Sequence, residues 1–558
     1  MEQGVPKFIA TPVRQATARR FVPACHNLWL HPLPQNPATP RLHHSAIVFI
    51  VYELAEMLPP PLDSGMDWKY SFLTGLALLL AASALTEVNL PSHRSRYPVL
   101  HWTTDDNPER ISQVAHFERW LRRHHYPKIT LRLDFANNDM SKDIIQGVSG
   151  DADDLMDMYG FGEMNFLAQC GLLYNVAPAA RKMGFDAGKT WPALRPDLLA
   201  NGKQYVFPDN VDTALYWVNQ ATFRRYHQPI PPRTWTFAQF QRRGLAFVRA
   251  ANPPGATEPV FFANSVNTGV MRRSLGLSAF NETLTRCILN DPRYIRVLRL
   301  MYRWTFVDHL LPTPAQQASF ATQEGYGGAG FQLFNSGQYA MFYVGRYMLI
   351  QLRKFYRTTG PIPLAVSAPP YGEFPNSSLD MRGAAIYTGS PHKQLAEYFL
   401  AYLASRTYNM QIVRDGDAEP PNPIYTRTRE FLNPPQYPNE AGCSGAFAQA
   451  CATIAIPFAY SPFVQAATVQ RIVNGQAETG FIAGIYTARQ AAQLAAERIN
   501  QHMADNVRAS PRLRRLYAKL RRRQNRIDRL RRAGQKVPLR LIANPFYRRY
   551  YAWKGWAN

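Results

Sequence analysis

The sequence predicts an α/β protein built on a parallel sheet with helical crossovers. Two patterns lead to that class. Residues 128–136 (KITLRLDFA) alternate Ile129, Leu131, Leu133 and Phe135, the period of a strand with one buried face. Each such segment is followed by a helix-length stretch, and strands spaced by helices of this size make parallel sheets. Composition agrees: 558 residues with 46% apolar and 18% charged side chains exclude a disordered chain, a collagen-like fibre and a multi-span membrane protein. The length suits two or three domains.

In chain order, 97–104 (YPVLHWTT) reads as the first strand and 108–125 as a helix opened by Pro108. Strand 128–136 follows, then a helical stretch from 139, then a third strand over Leu155 to Tyr159. The middle, 213–362, mixes further helices with short strands. Ser390-Pro391 is expected to cap and open a helix whose Leu395, Phe399 and Leu403 share one apolar face. No repeat of fixed period is present.

The net charge of +24 belongs to one end of the chain. Residues 508–558 hold 17 Lys and Arg against one acid, Asp528, whereas 66–507 hold 41 basic and 34 acidic residues. A body at +7 is ordinary for a soluble domain pair, so the basic character is that of a tail. Ser510-Pro511 is expected to start a tail helix that ends near Ala533 at Gly534, with Leu513, Leu516, Tyr517, Leu520, Ile527 and Leu530 along one stripe among arginines. An aromatic, cationic end follows from Asn544 to Trp556. Such a helix can lie on an anionic membrane surface or dock its stripe on the body or a partner; a nucleic-acid arm is disfavoured in an exported protein.

Export is expected from Met66-Asp-Trp-Lys69 and the uncharged run Tyr70 to Thr86, which ends in the small residues Ala82-Ser83-Ala84. The run is short for a span of about 20 residues, which favours a cleaved signal over a permanent anchor through Tyr70–Thr86. The mature chain is therefore expected in the periplasm or outside the cell. Residues 1–65 hold ten prolines and little periodicity, and a signal seldom begins so far into a chain. Residues 1–65 are expected to be either a poorly structured extension or a mis-annotated one, with translation starting at Met66.

Three blocks resemble a known family. Asn201-Gly-Lys-Gln-Tyr-Val-Phe-Pro-Asp209, with Ala214-Leu-Tyr-Trp-Val-Asn219 and Pro231-Pro-Arg-Thr-Trp235, forms the first. Phe334-Asn-Ser-Gly-Gln-Tyr-Ala-Met-Phe-Tyr-Val-Gly345 forms the second. Ala368-Pro-Pro-Tyr-Gly372, Arg382-Gly-Ala-Ala-Ile386 and Ser390 to Leu400 form the third. In this order and spacing they are similar to the extracellular solute-binding proteins of ABC importers, the family of maltose-binding protein. The resemblance covers about 97–503; it departs at Trp217, where a Tyr is usual, and at Arg346-Tyr347, where a Trp is common. It implies the type II periplasmic-binding-protein-like fold: two α/β lobes joined by crossing strands, with 97–212 and 363–424 as the first lobe and 213–362 and 425–505 as the second. It further implies a monomer that hands a small molecule, a sugar or oligosaccharide, to ABC permease subunits, without enzymatic chemistry, metal or cofactor.

Sugar recognition needs flat apolar faces and fixed polar groups, because each unpaired buried polar group is costly. Side chains at strand ends point into an interlobe cleft. On that basis the expected ligand-binding residues in the first lobe are Trp102, Asp106, Asn137, Asn138, Asp157, Tyr159 and Asp209. Asn264, Tyr343 and Arg346 are added from the second lobe, and Tyr371 and Arg382 from the returning segment. A rival reading is a secreted carbohydrate-active hydrolase with Asp106 and Asp157 as its carboxylate pair. A membrane-bound sensor subunit is another, should the apolar run stay uncleaved.

Other constellations are weaker. Gly325-Tyr-Gly327-Gly-Ala-Gly330 spells a dinucleotide fingerprint but lacks a preceding strand and a following acid. Asp151 to Asp157 lacks the Gly and closing Glu of a calcium loop and reads as a turn. His124-His125 suits a helix end. Cys443 and Cys451 are either a disulfide or two buried free thiols. Mass spectrometry of the immature product tests the translation start: peptides from Met66 onward are expected, and any peptide from before it contradicts the expectation.

Overall fold

The computed structural model describes residues 95–135, 140–256, 258–320 and 328–558, with Leu76 alone upstream. The expected signal and the 1–65 extension lie outside the described residues, as do Asn137 and Asn138.

The first sheet contains the three strands expected from periodicity. They are β1 (Val99–Thr103), β2 (Thr130–Asp134) and β3 (Leu155–Tyr159), joined through helices α1 (Glu109–Arg123) and α2 (Met140–Ser149). β1 pairs in parallel with both β2 and β3. A helix, α3 (Gly160–Gln169), follows β3, and strand β4 (Val206–Asp212) comes later. The second sheet has three antiparallel strands, with β5 (Leu215–Asn219) between β6 (Met341–Val344) and β7 (Leu364–Ser367).

β7 corrects one expected boundary. Residues 364–367 pair with Trp217 and its neighbours in the second sheet, so the return to the first lobe comes later, through β8 (Ser377–Ile386). β8 runs antiparallel to β3 and β4, and its first residues pair in parallel with β9 (Ala455–Pro457). The first sheet thus reads β9-β8-β3-β1-β2, with β4 also on β8. A core around Trp102, Phe117, Met158, Phe207 and Phe399 sits under it. A separate core around Phe240, Phe262, Val297, Trp304 and Ile499 serves the second lobe.

Three segments cross between the lobes: β4 to β5, β7 to β8, and the chain around β9. They are stitched at Ser377. Its hydroxyl donates to the Ala214 carbonyl at 2.6 Å and accepts from Thr213 Oγ1 at 3.1 Å, while its N–H donates to the Ile454 carbonyl at 3.1 Å. Asp212 lies at the same crossing, with a buried Oδ1 that has no hydrogen-bond partner. Burial first, then the nearby Asp380 and Asp417, raises its carboxyl from the ordinary carboxylate range to about 7.

One local expectation changes, and for the cysteine pair the structure selects the second of the two alternatives. The helix after Ser390, α4 (Lys393–Ala404), starts with His392 at its N-cap, because the Ser390 hydroxyl donates to Asp154 Oδ1 at 2.5 Å and turns the chain first. Cys443 and Cys451 are free and buried on one helix, Cys443–Thr453; eight residues along a helix is about 12 Å, beyond the reach of a disulfide.

The basic tail is part of the folded body. Its helix, α5 (Pro511–Arg532), is capped by Ser510, whose hydroxyl accepts from the Leu513 N–H at 3.3 Å, and Gly534 follows it at φ +65°. Leu513, Leu516, Tyr517 and Leu520 pack on the second-lobe core. Buried Glu282 gathers the rest: Arg531 Nη1 pairs with it at 2.9 Å, Gln524 Nε2 donates at 2.9 Å and the Tyr551 hydroxyl at 2.5 Å. Phe546, Tyr550 and Trp553 surround Phe374 of the segment entering β8. Among the described residues, no helix is long and apolar enough to cross a membrane.

Two measurements check this architecture. Asn544 donates to Ser278 Oγ and to the Phe280 and Asn281 carbonyls, and accepts from the Phe546 N–H. Asn544→Ala leaves those groups unpaired and is expected to cost about 2–4 kcal/mol in denaturant unfolding; an unchanged midpoint would show the tail is not anchored there. A carboxyl whose folded pKa is raised favours the folded state below its unfolded value near 4, and that contribution is lost as pH climbs through about 7. Asp212→Asn is therefore expected to raise Tm at pH 8 and leave it almost unchanged at pH 4.5, read by circular dichroism.

Candidate functional site

A cavity of about 410 Å3 lies between the hinge end of the first sheet and the second lobe. Asp380 on β8, Pro457 on β9 and the Phe458 to Ser461 segment just beyond form one wall. The opposite wall comes from the second lobe, chiefly a short helix, α6 (Thr268–Ser274), and Val464 to Glu478; Phe546 of the tail closes one side.

Local sequence explains why these side chains stand there. Asn267 caps α6 by accepting from the Val270 N–H at 3.0 Å, which starts the helix at the cavity and places Arg272 and Arg273 in its last turn. Arg273 is buried and donates from Nη1 to the Ile456 carbonyl at 3.0 Å and from Nη2 to the Ser377 carbonyl at 3.1 Å, so it bridges the second lobe to two crossing strands. Burial and the neighbouring Arg272 lower its pKa to about 10. Glu478 accepts from Thr268 Oγ1 at 2.7 Å and the Tyr294 hydroxyl at 2.8 Å, and burial raises its carboxyl pKa. Burial likewise lifts Asp380 to about 6.

The end of β3 packs behind the first-lobe wall, against Asp380 and Tyr460. Gly160, at φ +74°, leaves no room for a side chain: a Cβ there would lie 2.9 Å from Asp380 Oδ1 and 3.3 Å from the Tyr460 hydroxyl oxygen. Gly162 is packed as closely against the Tyr460 ring. Glycines at these two positions let α3 approach the Tyr460 wall. The arrangement offers aromatic faces at Phe458 and Tyr460, acceptors at Asp380 and Glu478, and guanidinium donors at the far wall. It can bind and orient a small polar molecule.

The residues expected from sequence stand mostly elsewhere. Trp102 is fully buried, donating from Nε1 to Asp157 Oδ1 at 2.7 Å with its ring 4.7 Å from Phe399. Asp157, Asp209 and Arg382 meet in the interior beside Asp105. The Arg382 guanidinium lies 3.0 Å from Asp105 and 3.5 Å from each of the other two. Burial first, and Asp157 beside it, pushes the Asp209 carboxyl well up toward its neutral form. Asp105 moves the other way: burial alone would raise it, but Arg382 and Arg110 together hold it at about 2.

Arg346 is also internal. It donates from Nε to Ser444 Oγ at 2.9 Å and from its terminal nitrogens to the Ala418 and Val413 carbonyls at 2.6 and 2.9 Å. The Tyr343 ring packs at a tilt against Tyr216, ring centres 5.2 Å apart, and Asn264 accepts from the Tyr343 N–H at 2.7 Å while lining a separate hollow with Gln317 and Phe342. Tyr371 exchanges backbone hydrogen bonds with Trp235 and Phe237. Asp106 is exposed. Tyr159 is 42% exposed at the end of β3 and is not among the residues lining the cavity.

Sequence reading missed Arg272, Arg273, Asp380, Phe458, Tyr460 and Glu478. Phe458 and Tyr460 carried a usable signal, being aromatics directly after a short apolar strand. The Arg272-Arg273 pair carried none, since a capped seven-residue helix does not reveal which face meets a cavity.

Comparison with known proteins fits this geometry. No curated protein sequence matches. Many solved structures share the fold. An ABC substrate-binding protein from Listeria monocytogenes in complex with cycloalternan aligns with a TM-score of 0.61 at 17% identity, over 73% of this chain and 99% of that one. A solute-binding protein from Thermotoga lettingae bound to alpha-D-tagatose aligns at 0.59 and 15%, over 73% and 100%. UgpB from Mycobacterium tuberculosis with glycerophosphocholine aligns at 0.58 and 14%, over 73% and 98%. These likenesses establish the two-lobe α/β fold. Residues 117–410, more than half of the chain, match the family model of the bacterial extracellular solute-binding protein, and the chain belongs to that family.

Proposed function

We propose that this chain is an exported receptor that captures a small polar ligand, a sugar or oligosaccharide, between its lobes and delivers it to the permease of an ABC importer. The observation that carries this reading is the cavity walled by both lobes and placed beside the three crossing segments. Binding there draws groups of both lobes onto one molecule, so ligand favours whichever lobe arrangement brings them together. The structural neighbours that hold cycloalternan, tagatose and glycerophosphocholine support a hydrophilic ligand of this size class.

Within the cavity, Tyr460 and Phe458 supply faces for the apolar side of a ring, and Asp380 accepts from hydroxyls. The periplasm or the cell exterior is the proposed compartment, with a monomer as the working form and no cofactor required. The hydrolase alternative loses support because its carboxylates do not share a site: Asp157 is enclosed and accepts from Trp102 and Thr104, whereas Asp106 faces solvent.

A thermal-shift screen of the purified chain against mono- and oligosaccharides, polyamines and phosphate esters tests the reading. At least one member is expected to raise Tm and to be recovered chemically unchanged by chromatography. Released products would favour the hydrolase. Tyr460→Ala is expected to weaken that ligand about tenfold or more by calorimetry; undiminished affinity would remove the ligand from this cavity.

A further inference from the structure

The cavity holds an unsatisfied cation. Arg272 lines it, and among the described residues its guanidinium makes no hydrogen bond or ion pair; it lies over the Tyr294 ring with 5.9 Å between its central carbon and the ring centre. Arg273, next to it on α6, lines the same cavity. It is 5% exposed, spends its terminal nitrogens on two backbone carbonyls, and keeps a buried Nε without a partner. Neither arginine is ion-paired with a carboxylate among the described residues. Two adjacent guanidiniums in one enclosed space repel each other and have given up much of their hydration, a costly arrangement unless an anion joins them.

The acids that face this pair do not cancel it. Glu478, on the neighbouring segment, accepts from Thr268 and Tyr294; burial favours its neutral form against these bonds and the charge of Arg272, so it offsets the pair only in part. Asp380 is on the wall across the cavity, against Gly160 and Tyr460. The space is therefore polarised, with donors and positive charge at α6 and a carboxylate acceptor with an aromatic ring at the β8 side.

Resting on the receptor reading above, we infer that the ligand carries an oxyanion, a phosphate or a carboxylate, which the Arg272–Arg273 end of the cavity binds while its hydroxyls face Asp380 and Tyr460. Guanidinium meets such groups through paired, charge-assisted hydrogen bonds, which a neutral sugar cannot return. The Arg273 bridge to Ser377 and Ile456 makes the same contact bear on the crossing strands.

Calorimetry of the full chain with glucose, glucose 6-phosphate and glucuronate, and with inorganic phosphate alone, tests this. One of the two charged sugars is expected to bind about tenfold or more tighter than glucose, and which one distinguishes phosphate from carboxylate. Arg272→Gln is expected to remove that advantage, bringing the charged sugar to within about threefold of glucose in the same variant, with Tm read alongside because the Tyr294 ring loses its cation. Arg272→Lys is expected to retain part of it. Glucose binding as tightly as both charged sugars, or Arg272→Gln weakening all three equally, would overturn the inference and leave the receptor reading standing. Binding of inorganic phosphate alone, without gain from the sugar, would overturn it as well. Failure of every small molecule in both panels would remove the receptor reading itself.

Discussion

Arg382 is the group on which the arrangement of the first lobe depends. It is a cation with 3% side-chain exposure set among Asp105, Asp157 and Asp209, which come from three different places in the chain. Enclosing these charges is costly, and removing the guanidinium alone would leave buried carboxyls uncompensated, a loss of about 3–5 kcal/mol in comparable sites. The cluster has a directional consequence. It fixes β8 against β1, β3 and β4, and β8 is the strand whose first residue, Ser377, ties the crossing segments together. Asp380 and the Ser377 carbonyl held by Arg273 are both on that strand, so the position of the cavity walls follows from the register that Arg382 enforces.

The tail shows how a strongly basic segment becomes structural. The first half of its apolar stripe packs on the second lobe, Ile527 and Leu530 join a cluster with Phe374, Ile456 and Phe546, and one buried acid, Glu282, takes hydrogen bonds from a guanidinium, an amide and a phenol of the tail. The remaining arginines of α5 face outward. Because Phe546 also lines the cavity and Trp553 packs on Phe374 just ahead of β8, the tail is contiguous with the cavity as well as with the body.

The parts of the fold legible in the sequence were those governed by local periodicity. Strands β1 to β3, their helices and the limits of α5 follow from alternation, caps and a terminal glycine, which act within a few residues. The membership of residues 364–367 in the second sheet was not legible, because it depends on pairing with Trp217, far away in the chain. The site was harder for a related reason. Asp157, Asp209 and Arg382 have the residue types and strand-end positions of ligand contacts, and sequence cannot distinguish a polar group facing a cleft from one facing an opposite charge on the next strand. Arg346 failed likewise, its guanidinium being consumed by the carbonyl of Val413 near one helix end and of Ala418 just beyond it. Asp380 sits two residues before Arg382 on the same strand, and only the pairing of β8 separates their roles.

The central claim is that ligand sits between β8–β9 and α6 and holds the lobes through groups of both. Hydrogen–deuterium exchange of the full chain, with and without saturating amounts of the panel member that gives the largest thermal shift, tests it most directly. Slowed exchange is predicted in 266–274, 377–382 and 457–478 together, with little change around β2 or the outer face of α5. Protection confined to one lobe, or absent from all three segments while ligand is bound, would contradict the account.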